Sequence, residues 1–376
     1  MAPNQHHRPA SRLALLAVLG SIGITMASCT TSRPASDIRP ASARATAPAK
    51  RPSSSPTGSS PAGATSTAPA ASSSQPGTAA VPLPTPTALA PFSGNSSATS
   101  TPSPWSPAGR TVNGIPAVYE TTLIPPGGTQ PAGIAWMDTR LLSARLYSGS
   151  VSPGGGPYTY TAPIQPAQAA SLVAAFNGGF MMSAARGGYY TEGRTVDPLV
   201  TGAASLVIDT NGNVTIGPWG GNLTLTPQVA SVRQNLVPLV AGGQPTPAAA
   251  SPDWQAWGAT CAATTCSGSV PGLEHQWRSG VGTTADGALV YAAGPALDPL
   301  QLAQLLVAAG CVQAMQLDIN PDWPVLATYD PSTPGGLAAP SNGTKLLAST
   351  IQGPWTFFES WWARDFVTMS ARAAAS

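Results

Sequence analysis

Between Asp298 and Gly310 the apolar positions Leu302, Leu305, Leu306 and Ala309 recur at helical spacing and outline a single face. The ends of this run carry matching punctuation. Asp298 is a good N-cap residue. Pro299 stands at the first helical position, where its missing N–H costs nothing, and Gly310 suits a left-handed closing residue. The pattern therefore predicts a helix over 299–309. A short, apolar, uncharged run follows over 311–317, which reads as a covered strand. Period-two alternation then delivers Gln316 and Asp318 to one face, beside an irregular Asn320-Pro321-Asp322-Trp323 turn.

Elsewhere the alternation is that of short strands. Runs 134–137 and 141–147 flank Asp138-Thr139-Arg140. Runs 206–208 and 214–216 flank Asn211-Gly212, and runs 280–284 and 288–291 flank Asp286-Gly287, both strong hairpin signals. Asp286 is accordingly a turn residue. A short helix over 166–171 leads into a strand over 172–176. Hairpins alternating with two helices predict an α+β fold with a mixed or antiparallel sheet, built as one domain over 111–376.

The pattern disappears towards the N-terminus. Over 30–110 the chain is Pro, Ser, Ala and Thr with few large apolar residues, and such a segment buries too little surface to offset its ordering entropy. It is expected to be a disordered tether, spanning about 50 Å as a coil and about 250 Å in polyproline form. Residues 1–29 read as an export signal: Arg8 and Arg12 precede an apolar run over 13–25 that is short for a bilayer span. Met26-Ala27-Ser28-Cys29 resembles a bacterial lipobox, which makes Cys29 the candidate lipidation site. Cleavage after Ala27, giving a soluble secreted product, is the alternative. The expected location is the outer face of the cytoplasmic membrane, facing the cell wall, with a lipid chain as the membrane contact.

Charge sharpens this division. Only 9% of residues are charged, against about 25% in an ordinary domain. Residues 1–110 hold eight Lys and Arg against one acid, Asp37, whereas 111–376 hold nine against fourteen. The folded part is mildly acidic, which argues against nucleic-acid binding. Outside the leader the one histidine is His275, so a multi-histidine metal site is excluded and chemistry must rest on carboxylates, Arg and amides. Cys261 and Cys266 bracket a small polar loop, and in an exported protein they are expected to form a disulfide, while Cys311 lies in an apolar context as a buried thiol. The aromatic C-terminal stretch, with Trp355, Phe357, Phe358, Trp361, Trp362 and Phe366, is expected to pack the core and cover a sheet edge. A sugar-stacking face is the less common alternative.

Three further stretches bear on function. Asn177-Gly178-Gly179-Phe180 follows a strand, and its glycines permit positive φ and close approach of backbone to a ligand. Gly187-Gly188-Tyr189-Tyr190-Thr191-Glu192-Gly193 is a second glycine-rich loop, with Glu192 as an acid available to a ligand. Trp277-Arg278-Ser279-Gly280 places an Arg just before a strand, in a setting suited either to gripping an anion or to a structural salt bridge.

In this order, these pieces and Leu317-Asp318 after the helix resemble the phosphodiester glycosidase family over roughly residues 170–325. In one respect the chain departs from the family pattern, which runs Asp-Gly-Gly-Gly-Ser; here Asp318 is followed by Ile319-Asn320-Pro321-Asp322-Trp323. The resemblance implies hydrolysis of a sugar-1-phosphodiester in a wall or lipid-linked glycan. It implies Asp318 as nucleophile or general base, Arg278 as the phosphate-neutralising cation and Asn177 as an orienting amide. Gly178, Gly179, Glu192, Asn320 and Asp322 would contact substrate. No cofactor is implied; Asp318 and Asp322 leave a divalent metal open without requiring one. The rival reading is a non-catalytic envelope polysaccharide-binding domain with a degenerate pocket. A third, a scaffold for a partner protein, predicts an exposed aromatic patch near Trp361.

Overall fold

The computed structural model describes residues 81–92, 101–251, 257–258, 275–333 and 335–373, all within the compact unit Ser72–Ser376. The expectations for 1–29, for Cys29 and for the Cys261–Cys266 pair lie outside the described residues, as does most of the tether. The fold is α+β, dominated by antiparallel sheet. In chain order the strands begin with β1 Ser106–Pro107, β2 Val118–Leu123, β3 Ala132–Met137, β4 Leu142–Tyr147, β5 Leu172–Asn177 and β6 Tyr189–Thr191. There follow β7 Arg194–Asp197, β8 Ala204–Asp209, β9 Val214–Pro218, β10 Val229–Gln234, β11 Pro238–Ala241 and β12 Gln244–Pro245. The last six are β13 Gln276–Thr284, β14 Leu289–Leu297, β15 Cys311–Gln316, β16 Leu326–Tyr329, β17 Gly343–Lys345 and β18 Phe366–Ala371. Among the described residues the α-helices are α1 Pro166–Ala169, α2 Met182–Ala185 and α3 Pro299–Ala308.

The strands form three sheets: an eight-stranded one ordered β1-β2-β3-β14-β13-β15-β11-β12, and two five-stranded ones ordered β7-β6-β10-β8-β9 and β17-β16-β5-β18-β4. Period-two alternation sorts side chains between separate cores. From β3, Ala135 and Met137 enter a core shared by the sheets, while Ile134 and Trp136 join Leu302, Leu305 and Leu306 of α3. From β5, Ala174 and Phe176 enter the shared core, and Leu172 and Ala175 face a third cluster with Phe357 and Phe366. Sheets covered on both faces explain the near-continuous apolar runs in the sequence.

Helix α3 forms as its sequence predicts. Asp298 accepts the Gln301 N–H at 2.6 Å and Gln301 returns the favour to the Asp298 N–H at 2.9 Å, a complete capping box. Gly310 closes it at φ +89°. Gly212 and Gly287 take positive φ in the two expected hairpins. Three features differ from expectation. α2 is a single turn without a periodic signal. Arg278 lies inside β13, not before it. The packed body also begins earlier than residue 111: Leu83 is buried, its N–H donates to Asp138 at 2.8 Å, and β1 pairs with β2. A few apolar side chains, Leu83, Leu89, Phe92 and Trp105, suffice to dock this part of the proline-rich segment on the α3 side of the large sheet. No helix among the described residues is long and apolar enough to cross a membrane.

The cap and the buried face of α3 make separable contributions. Asp298→Ala should cost about 1 kcal/mol, and Leu306→Ala about 2–5 kcal/mol because a cavity opens against β13. Urea denaturation of both variants checks the ranking, and equal costs would contradict it.

Candidate functional site

The polar centre of the molecule lies where strands from all three sheets end together. Strand β5 closes on Asn177, β15 runs into Asp318, and β18 begins just after Arg364-Asp365, with Phe366 paired to Asn177. Asn177 is clamped on every side. Its amide nitrogen donates to Ser279 Oγ at 3.0 Å and to the Gly178 carbonyl at 2.9 Å. Its oxygen accepts from Tyr291 Oη at 2.8 Å and from the Val325 N–H at 3.0 Å. Ser279 Oγ in turn donates to the Asp318 carbonyl at 2.7 Å. Asn177 thus stands beside Asp318 as a positioning residue whose hydrogen-bonding capacity is spent on protein.

Asp318 is 2% exposed. Its Oδ1 accepts the N–H groups of Ile319 (2.8 Å) and Asn320 (3.0 Å), and its Oδ2 accepts from Arg364 Nη2 at 2.7 Å. Burial raises its pKa to about 6, against the attraction of Arg364 and the two backbone donors. A carboxyl group tuned in this way suits acid–base work near neutral pH. Arg364 is 8% exposed, lies 4.9 Å from the centre of the Trp323 ring, and among the described residues its buried Nε and Nη1 have no hydrogen-bond partner. A buried guanidinium edge with unspent donors is costly unless something accepts from it.

Arg278 does not join this group. Alternation along β13 turns Ser279 and Val281 toward the shared core and Arg278 and Gly280 toward α3; a Cβ on Gly280 would stand 3.1 Å from Leu302 and 3.2 Å from Leu306. The buried guanidinium of Arg278 donates to the carbonyl of Leu297 (2.8 Å) and to Gln316 Oε1 (2.7 Å), and burial lowers its pKa to about 10. Gln316 and Asp318, expected on one face, consequently serve different partners, because regular strand ends at Gln316.

The remaining sequence candidates make contacts within the protein. A Cβ on Gly178 would fall 2.0 Å from Asp365 Oδ2, and one on Gly179 2.9 Å from the Arg233 guanidinium. These glycines admit a buried, two-pronged Arg233–Asp365 ion pair, with contacts of 2.9 and 3.1 Å, in the space assigned to a ligand. Glu192 sits at φ +50° and accepts the N–H groups of Thr159 and Tyr160, tying down a loop. Asn320 caps its own turn, its side chain accepting the Asp322 N–H at 3.0 Å, and both residues are exposed. Among the described residues no group of three or more His, Cys, Asp or Glu comes together. Cys311 is a buried free thiol. His275 stands 3.9 Å from Asp298 at the start of α3. The sequence reading missed Arg233, Arg364 and Asp365. The available signal was charge itself: an Arg-Asp pair between tryptophans and a strand, in a chain with so few charges.

No protein-family model and no curated protein matches the chain. Among solved structures it is similar to the zebrafish N-acetylglucosamine-1-phosphodiester alpha-N-acetylglucosaminidase catalytic domain auto-inhibited by pro-peptide. Identity is 15% and the TM-score 0.40, over 72% of this chain and 88% of that one. It is also similar to a hypothetical protein from Synechocystis, at 13% identity and TM-score 0.34, over 71% of this chain and 64% of that one. Both likenesses are distant.

An aspartate in the unfolded chain titrates near ~3.9, so the folded protein holds the Asp318 proton more tightly. The stability contributed by this group is full below about pH 4 and is lost as pH rises through about 6. Carbon-13 NMR of the Asp318 carboxyl should give a midpoint near 6, moving upward in Arg364→Met, where the attraction of the cation is gone. An unmoved midpoint would contradict the pairing.

Proposed function

We propose that this chain is a hydrolase of the cell envelope that cleaves a sugar-1-phosphodiester, with Asp318 and Arg364 as its working pair. The observation that carries this reading is the unspent Nε and Nη1 edge of Arg364 beside a carboxyl group with a raised pKa. A phosphodiester supplies the missing acceptors. Arg364 takes the phosphate role that the sequence resemblance had given to Arg278, and Asn177 holds Ser279 and the strand ends in register.

In the reaction, the bond between the anomeric carbon and the phosphate oxygen breaks and its electron pair leaves with the phosphate. Water supplies the new hydroxyl on the sugar, and the other product is a phosphate monoester. Such a leaving group is weakly basic, so the catalytic demand falls on neutralising phosphate charge and on a carboxylate near the oxocarbenium-like carbon or its attacking water. Asp318, as nucleophile or general base, meets the second demand in its ionised form. Export by the signal over 1–29, a lipid on Cys29 and the proline-rich tether would place this domain outside the cytoplasmic membrane, with a phosphosugar or wall glycan as partner.

A second reading, a polysaccharide-binding domain without turnover, is favoured by one observation: both Asp318 oxygens already have protein partners and the group is nearly closed off. Release of free sugar from a glucosyl-1-phosphodiester separates the two. Asp318→Asn should lower turnover about 10²–10⁴-fold, and Arg364→Met should raise KM and lower kcat. Activity of the parent should rise with pH through about 6 as Asp318 ionises. Arg278→Met should destabilise the fold while the folded fraction keeps its kcat. Binding without release of sugar in the parent would favour the second reading.

A further inference from the structure

Three of the exposed large apolar residues lie on segments that are hydrogen-bonded to one another and meet at Ala363, next to Arg364. Val151 is 48% exposed, Met181 42% and Trp361 61%. Hydrogen bonds link their segments directly: the Val151 N–H donates to the Ala363 carbonyl at 3.1 Å, and the Met182 N–H donates to Ser152 Oγ at 3.1 Å. Ser150, next to Val151, donates its hydroxyl to the Trp362 carbonyl at 2.9 Å. Within this collar of segments Trp362 and Trp323 meet edge to face at 5.1 Å, and Trp323 stacks on Arg364. The arrangement from outside to inside is exposed aliphatic and aromatic surface, then half-buried rings, then a buried cation with unspent donors.

We propose that the phosphodiester recognised here carries a hydrocarbon chain, and that Val151, Met181 and Trp361 receive that chain while Arg364 holds the phosphate. This rests on the hydrolase reading given above and names its substrate class as a lipid-linked glycosyl phosphate. Clustered exposed apolar side chains mark a place where apolar surface is to be buried, and an anionic head with an apolar tail fits the sequence of layers. Exposed acids adjoin the collar in sequence, Asp322 before Trp323 and Glu359 two residues before Trp361. They repel a polyanionic wall polymer far more than a ligand with a single phosphate.

The test compares two soluble probes, methyl glucosyl phosphate and citronellyl glucosyl phosphate, which share the sugar and phosphate and differ in the chain. Binding is measured calorimetrically on the full chain carrying Asp318→Asn, and hydrolysis is measured on the parent. The citronellyl probe should bind at least about tenfold more tightly, a difference of about 1.4 kcal/mol. In Trp361→Ser, and in the triple variant with Val151→Ser and Met181→Ser, the two probes should bind alike. All three side chains are exposed, and a thermal melt confirms that the variants fold. Equal binding of the two probes, or a preference that survives the triple variant, overturns the chain-binding collar and leaves the hydrolase reading standing. A preference without hydrolysis does the reverse. No binding of either probe overturns both.

Discussion

Two consecutive residues, Arg364 and Asp365, join the three sheets of this protein. They precede β18 in one sheet. Arg364 reaches Asp318 at the end of β15 in the largest sheet, and Asp365 grips Arg233 on β10 in the remaining one. Burying two ion pairs so close together is expensive, and removing one partner of such a pair typically costs about 3–5 kcal/mol because a buried charge is left uncompensated. The cost is tolerable for Arg233–Asp365, where the fork is filled by both carboxylate oxygens and by the carbonyls of Phe180 and Gln234. Gly178 and Gly179 are glycines because this pair occupies the space a side chain would need.

The neighbouring pair is built differently. Arg364 spends one nitrogen on Asp318 and leaves two buried donors without acceptors among the described residues, while burial raises the Asp318 pKa to about 6. One pair is saturated and holds the sheets; the other is incomplete and chemically poised. Asn177, Ser279 and Tyr291 form a chain of hydrogen bonds that fixes the backbone around Asp318 without presenting a free polar atom of Asn177. The contrast between a complete and an incomplete ion pair is the reason for locating chemistry at Asp318–Arg364.

Much of the architecture was legible in the sequence. The cap, proline, leucine face and glycine of α3 are local signals that agree with one another, and the Asn-Gly and Asp-Gly turns set their hairpins. Asp318 was legible too, because a covered strand ending in an acid is uncommon in so uncharged a chain. Arg278 was misplaced for a reason of parity. β13 starts at Gln276, four residues before the expected 280, which puts Arg278 in the strand, and a one-residue step then decides between Ser279 on the inner face and Arg278 beneath α3. The small residues Gly280 and Gly282 marked that helix-covered face. The partners Arg233 and Arg364 were not legible as partners, because pairings 132 and 46 residues apart along the chain depend on how the sheets stack. Composition likewise set the start of the packed body too late, since Leu83 and Trp105 dock parts of a proline-rich segment that has little apolar content of its own.

Calorimetric titration of the folded protein with inorganic phosphate is the most direct measurement of the central claim, because phosphate is the simplest acceptor for the unspent edge of Arg364. The account predicts one saturable site in the parent and in Arg278→Met, lost in Arg364→Met. Phosphate binding that persists without the Arg364 guanidinium, or that disappears with Arg278 instead, would contradict it.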